Sequence, residues 1–437
     1  MADRVAGVRS PRPVLAWALW DCGASGVGAI VVTFVFSVYL TSTVGAGLPD
    51  GTSPASWLGR TLALAGLTVA LLAPVVGVWV DSSHRRRVTL AVLTACAVTL
   101  TAAMSLIRAD PGYLAVGLVL LAATAASTDL AAVPYNAMLS QVSTPATSGR
   151  VSGFGYAAGY VGNVVLLLVV YLGFMAGTGD TRGLLGLPVH DGVNVRMAML
   201  LTALWLAGFA LPLLLSAHRL PAPAGEPRPV SGLLDGYRRL FTDLRAEWRR
   251  DHNLVYYLVA SAIFRDGLTG VFTFGAVLGV SVYGISKADV LIFGVAACVV
   301  AAVGAAGGGL LDHRIGSKRV IVAALTAIIT AGLALLVLSG PTAFWVCGLT
   351  LSLFIGPAQS SARTLMLQLA HEGKEGVAFG LYTMTGRAVS FLAPWLFSVF
   401  VDVFGSDRAG MGGLCTVLVL GLLAMLAVRV PDRRPAD

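Results

Sequence analysis

GVWVDSSHRRRV, residues 77–88, and GGLLDHRIGSKRV, residues 308–320, share one pattern: a glycine, three residues, an aspartate, then a basic cluster closed by valine. Each copy ends a long apolar run and begins another, so each is a short charged loop between two hydrophobic segments. Working outward from the two loops, the surrounding segments also repeat in order. VPYNAMLSQV (133–142) is echoed by GPAQSSARTLMLQL (356–369), VSGFGY (151–156) by VAFGLY (377–382), and WDCGASGV (20–27) by RDGLTGV (265–271). Echoes in a constant order are the mark of an internal repeat, here two homologous halves of one chain.

Composition says what kind of chain carries the repeat. Charged residues are 12% and hydrophobic residues 57% of the 437, against roughly 25% charged in soluble domains. Apolar stretches long enough to cross a hydrocarbon core of about 30 Å recur along the chain. Charge clusters and Pro/Gly breaks divide them into spans near 14–42, 58–80, 88–107, 112–141, 149–176 and 194–217, then 253–282, 289–311, 319–339, 342–369, 376–404 and 411–429. The expected fold is therefore an all-α polytopic membrane protein of twelve transmembrane helices in two six-helix bundles. The expected units are residues 1–217, a linker at 218–252, and residues 253–437. The first apolar run contains Asp21 and lacks a small-residue cleavage site, so it is expected to remain as the first helix.

The linker begins with a proline-rich strip, RLPAPAGEPRPV, and continues with Leu233, Leu234, Tyr237, Leu240, Phe241, Leu244 and Trp248 at three- and four-residue intervals among arginines. That periodicity predicts an amphipathic helix lying on the membrane surface. Basic residues outside the helices concentrate in the N-tail, 81–87, Arg150, 218–252, 312–319, 363–375 and the C-tail, whereas the alternate loops hold Arg60, Arg108, Arg182, Arg196, Lys287 and Arg408. The asymmetry predicts both termini inside, in the inner (cytoplasmic) cell membrane. The formal net charge of +8 is accounted for by contact with anionic membrane lipid, without nucleic acid. The five cysteines and six histidines show no metal-ligand spacing, and no nucleophile elbow, phosphate loop or HExxH is present. No enzyme, metal or cofactor is expected, and the chain is read as a monomer.

The duplicated Gly–Asp–basic loop resembles the signature of the major facilitator superfamily. Within it, WALWDCGASGVGAIVVTFVFSVYL, VPYNAML, GFGYAAGYVGN, LLDHRIGSKR and GPAQSSARTLM with FGLYTMTGRAVSFLAP resemble the vacuolar amino-acid effluxer (autophagy-related) group and its bacterial relatives. The chain departs from that pattern at Cys22 and Gly23 and at Arg387, where a lysine is more usual. The resemblance implies alternating access, with helices 1, 4, 7 and 10 around a central cavity. It also implies a breakable latch between the halves, carried here by Gly77, Asp81, Arg86 and Arg87 in one loop and Gly308, Asp312, Lys318 and Arg319 in the other.

Charges inside the spans locate the candidate site. Asp266 lies 13 residues into its helix, about 20 Å deep at roughly 1.5 Å per residue. Asp21, Asp129, Arg265 and Arg387 are similarly internal. Each costs about 2.5–3.5 kcal/mol at mid-membrane, so it faces a wet cavity or a partner. One reading is architectural, with Arg265 or Arg387 neutralising Asp266 or Asp129. The functional reading gives a carboxylate among Asp21, Asp129 and Asp266 the task of carrying a proton, and an arginine that of holding a substrate carboxylate by a bidentate bond. Tyr135, Asn136 and Gln359, beside Pro134 and Pro357, are candidate uncharged ligands, with Asn163 a weaker one. Glycines beside Asp21 and Asp266 allow either bending or close helix packing. The expected function is a secondary transporter of a small polar, amino-acid-like solute coupled to protons. A drug or metabolite exporter of the same fold, and a non-transporting sensor or lipid-handling protein, are the alternatives.

Overall fold

The structure, a computed structural model, describes residues 11–47, 54–81, 83–177, 179–221, 252–285, 287–371 and 373–430, with 238, 242 and 245. The expected amphipathic linker helix lies outside the described residues apart from those last three positions. All the expected spans are present as helices: α1 (Arg12–Ala46), α2 (Trp57–Trp79), α3 (His84–Leu106), α4 (Pro111–Val142), α5 (Ser148–Met175), α6 (His190–Arg219), α7 (Asn253–Gly275), α8 (Ile292–Ile315), α9 (Ser317–Val337), α10 (Pro341–Leu369), α11 (Glu375–Phe404) and α12 (Asp407–Ala427). Helices satisfy their own backbone in lipid, and the scattered hydroxyls follow the same rule by bonding back one turn. Thr68 Oγ1 donates to Leu64 O at 2.8 Å, and Thr326 Oγ1 to Val322 O at 2.8 Å.

Each half has its own core. Trp17, Trp20, Leu40, Tyr135 and Met199 belong to the first, and Tyr257, Phe264, Phe344, Phe379 and Leu414 to the second. Val78 and Ala137 of the first half join the second core, so the bundles fuse at the end carrying the duplicated loops, called here the basic face. There α2 packs on the first part of α11, and α5 packs on α8 and α10. Away from it the same helices part: Leu64 and Leu67 of α2 and Trp395, Val403 and Phe404 of α11 are exposed. Outward-facing Leu204, Leu215, Val337 and Leu423 give α6, α9 and α12 an apolar face for lipid.

Of the spans that depart from simple helices, two bear on the site. α1 widens into a π-helix over Gly28–Phe34, and α11 stops at Val389 and restarts at Leu392. Pro394 cannot donate to the carbonyl one turn back, which opens α11 there. The freed Ala393 N–H instead donates to Asp266 Oδ2 at 2.6 Å, so α7 caps the restarted helix. α7 itself runs unbroken past Gly267 and Gly270, which receive Leu418 and Leu414 of α12; these glycines serve packing. Gly316, at φ 89°, turns the second charged loop through a conformation that side chains resist.

Candidate functional site

A cavity of about 410 Å³ lies between the halves, within the usual range for small ligands. α4 contributes Asp129 and Asn136, α5 Tyr156, α7 Arg265, Asp266, Thr269 and Thr273, α10 Gln359 and Arg363, and α11 Tyr382, Thr383, Gly386, Arg387 and Ser390. Polar groups from both bundles thus converge at mid-depth in an otherwise apolar body.

Three arginines face this space in different circumstances. Arg387 of α11 is ion-paired with Asp129 of α4, bridging the halves. Arg363 of α10 is buried and pairs with Asp21 of α1 at 3.4 Å. Arg265 has no ion-pair partner among the described residues: its guanidinium rests 3.8 Å above the Tyr382 ring and donates to Tyr382 O at 3.2 Å. Arg363 similarly lies 4.2 Å over Tyr156. Tyr156 and Tyr382 are the last residues of the echoed VSGFGY and VAFGLY, so each half supplies an aromatic shelf for an arginine.

Of the residues singled out by sequence, Asp129, Asn136, Arg265, Asp266, Gln359 and Arg387 border the cavity. Gln359 also accepts a hydrogen bond from Tyr160 of the opposite half at 3.1 Å. Asp21 stands behind Arg363, and Tyr135 does not face the cavity; it is stacked between Trp17 and Trp20, with centroids at 4.6 and 4.3 Å. Asn163 is not among the lining residues. Arg363, counted among the basic residues of the inner segments, lies within the expected span 342–369, and α10 carries it into the site. The signal was its four-residue spacing from Gln359, which places both on one face.

The basic face is closed by the duplicated loops. Asp81 Oδ1 accepts from Val377 N–H at 3.3 Å, at the start of α11, where a helix terminus favours negative charge. Arg86 is fully buried and donates to Val80 O and Ala137 O, each at 3.0 Å, and pairs with Glu375 Oε2 at 3.4 Å. In the second copy, buried Asp312 accepts from Ser317 Oγ at 2.8 Å and lies against Gly149, at the start of α5. Each loop aspartate therefore sits at the first turn of a helix from the other half. Lys318, expected in the second latch, instead donates to Leu426 O and Val428 O at 2.9 and 2.6 Å, at the end of α12 in its own half. Arg319 is exposed and Arg87 half-buried. Gly77 and Gly308 serve close approach, to Gly376 and to Pro357 respectively.

Burial pushes the Asp81 carboxyl up to about 7, opposed by Arg86 and the Val377 and Gly376 amides and assisted by Glu375. If the gate opens, the carboxyl returns to water and to its ordinary 3.8. The closed gate then binds the proton more tightly, so its extra stability is complete below the lower value and is lost as pH rises to the higher one. Spin labels at Arg150 and Arg314, exposed on opposite halves of the basic face, should report more of the open distance as pH rises across that window. Asp81→Asn should flatten the profile; an unchanged profile would remove Asp81 as its source.

This architecture recurs in solved transporters of the major facilitator superfamily. A crystal structure of FucP in the outward conformation matches with a TM-score of 0.72 at 13% identity, covering 97% of this chain and 99% of that one. The proton:xylose symporter XylE matches with 0.71 at 12% identity, covering 96% and 95%. The fold is that of the superfamily, and the family match that follows makes the chain a transporter within it. Within it, it belongs to the vacuole effluxer Atg22-like family, whose family model matches residues 136–436. The MFS-type transporter YxiO of Bacillus subtilis is 22% identical over 97% of this chain and 95% of its own length. Autophagy-related protein 22 of Yarrowia lipolytica is 24% identical over 64% of this chain; the match spans 50% of the fungal protein's length.

Proposed function

We propose that the protein is a secondary active transporter of a small zwitterionic, amino-acid-like solute, coupled to protons, working by alternating access in the cell membrane with both termini inside. In that orientation the closed basic face is cytoplasmic and the cavity communicates with the outside. The observation that carries the reading is Arg265. It borders the cavity without an ion-paired carboxylate among the described residues, while the other two lining arginines each have one. A solute carboxylate can take the planar guanidinium in two-pronged fashion while Tyr382 supports the opposite face. Asp266, next to it and lining the same space, is suited to a solute ammonium or to the coupling proton. The effluxer family match supports the movement of a small solute, and the pairing of a guanidinium with a neighbouring carboxylate at the cavity favours one that carries both charges, as an amino acid does. A cavity bordered by this many charged and amide groups disfavours the apolar-drug alternative.

The test is uptake of labelled amino acids into proteoliposomes under an imposed pH gradient. Gradient-stimulated uptake is expected, with the stimulation lost in Asp266→Asn. Arg265→Lys should raise KM about tenfold, since an ammonium cannot reproduce the two-pronged contact. Uptake indifferent to the gradient would remove the proton, and export of apolar dyes with no amino-acid flux would overturn the substrate assignment.

A further inference from the structure

We propose that the N-terminal half carries a preformed site for an organic ammonium or guanidinium group, which the side chain of Arg363 fills in this structure and leaves when the halves part. The proposal rests on the alternating-access reading above and adds to it a second ligand-binding position.

Arg363 belongs to α10, yet its polar partners belong to the other bundle. Nη1 donates to Asp21 Oδ2 at 3.4 Å and Asn136 Oδ1 at 3.3 Å. Nε donates to Ser152 Oγ at 3.0 Å and Nη2 to Ser152 O at 2.7 Å. The rings around it, Trp17 at 4.6 Å, Tyr156 at 4.2 Å and Tyr135 at 5.8 Å, are likewise from the first half. A carboxylate, neutral oxygens and aromatic faces together make a cation-recognition cage.

The walls of the cage stand without Arg363. Trp17 Nε1 donates to Tyr135 O at 3.0 Å, and Trp20, stacked on Tyr135, donates to Thr94 Oγ1 at 3.1 Å. Gly155 leaves the room the guanidinium occupies: a Cβ there would lie 2.5 Å from Trp17 Cζ3 and 2.9 Å from Arg363 Nη2. Asn136 and Tyr156 also line the main cavity, so cage and cavity are continuous.

Opening the basic face must separate α10 from α5, which now hold each other through Ser152 Oγ donating to Ser360 O at 2.7 Å. Arg363 leaves with α10, and Asp21 is left beside empty aromatic faces. A solute cation entering there replaces the tethered one and so stabilises the open state, because a ligand shifts an equilibrium toward the form that binds it.

The experiment uses full-length protein in detergent with methylguanidinium chloride as probe and choline-free sodium chloride as the ionic control. In Arg363→Ala, millimolar probe should raise the melting temperature saturably and quench the emission of Trp17, identified by its loss in Trp17→Phe. The apparent affinity should be at least tenfold weaker in wild type, whose cage is filled, and the effect absent in Arg363→Ala with Asp21→Asn. No saturable effect on Arg363→Ala, or one that survives Asp21→Asn, would overturn the proposal; the first result would leave a proton as the species that replaces Arg363. Should Arg363→Ala not fold, labels at Arg150 and Arg314 in otherwise native protein decide: the probe must lengthen their separation, and no change overturns the cage. Probe binding without amino-acid uptake would retain the cage and remove the transport reading, whereas uptake without probe binding would remove the cage alone.

Discussion

Gly153→Val is expected to drive the protein from the state closed at the basic face to one open there. A Cβ on Gly153 would lie 2.5 Å from Ala305 O and 2.9 Å from Gly309 Cα. Both are backbone atoms of α8, so no rotamer can relieve the contact, and the bundles must separate. Overpacking a tight interface costs about 1–3 kcal/mol, about 5- to 150-fold in population. Each bundle keeps its own core, so the cost falls on the seam between them rather than on folding. Labels at Arg150 and Arg314 should shift mainly to the longer separation. Gly77→Val, whose Cβ would meet Gly376 O at 2.5 Å and Gly380 Cα at 3.1 Å, should do the same from the pseudo-equivalent seam. Gly208→Val, with open space around it, is the control. A folded Gly153→Val with native distances would show that the seam does not govern closure.

The spans and their duplication were legible because lipid demands long apolar helices and because repeats leave local strings, such as the two charged loops, in register. Side-chain direction was less so. Tyr135 shares a dipeptide with Asn136, yet successive helical residues point about 100° apart; Asn136 reaches the cavity and Tyr135 packs between tryptophans. The two latches look alike in sequence, but Arg86 follows its aspartate by five positions and Lys318 by six, with Gly316 between. That extra residue turns Lys318 away from the other half and toward the end of α12. The break in α11 could not be read from Pro394 alone, since Pro74 and Pro212 lie inside unbroken helices. What completes it is the carboxylate of Asp266, distant in sequence. Arg363 lay inside the expected span, and only its four-residue spacing from Gln359 marked the face it shares with the cavity.

Glu375→Gln is expected to open the basic face by a different route. Arg86 has no exposure and bonds within its own half to Val80 O, Ala137 O and Gln141 Oε1. Glu375 is its ion-pair partner across the seam. Removing one member of a buried pair costs about 3–5 kcal/mol, because the remaining charge stays desolvated. The three carbonyl contacts that Arg86 retains favour the low end, still about a hundredfold in the balance between closed and open. Opening lets water reach the cation, so the cost appears as a shift of state and not chiefly as unfolding. Arg86→Met should behave differently: it strands acceptors inside the first bundle and lowers its melting temperature, while Glu375, at the edge of the gate with 8% of its side chain exposed, can recover water more readily. The double variant then lacks the stranded cation, and it should close more fully than Glu375→Gln alone as read by the Arg150 and Arg314 labels. If the double variant is as open as the single one, the gate is held by something other than this pair, and the Asp81 contact with the first turn of α11 becomes the element to test.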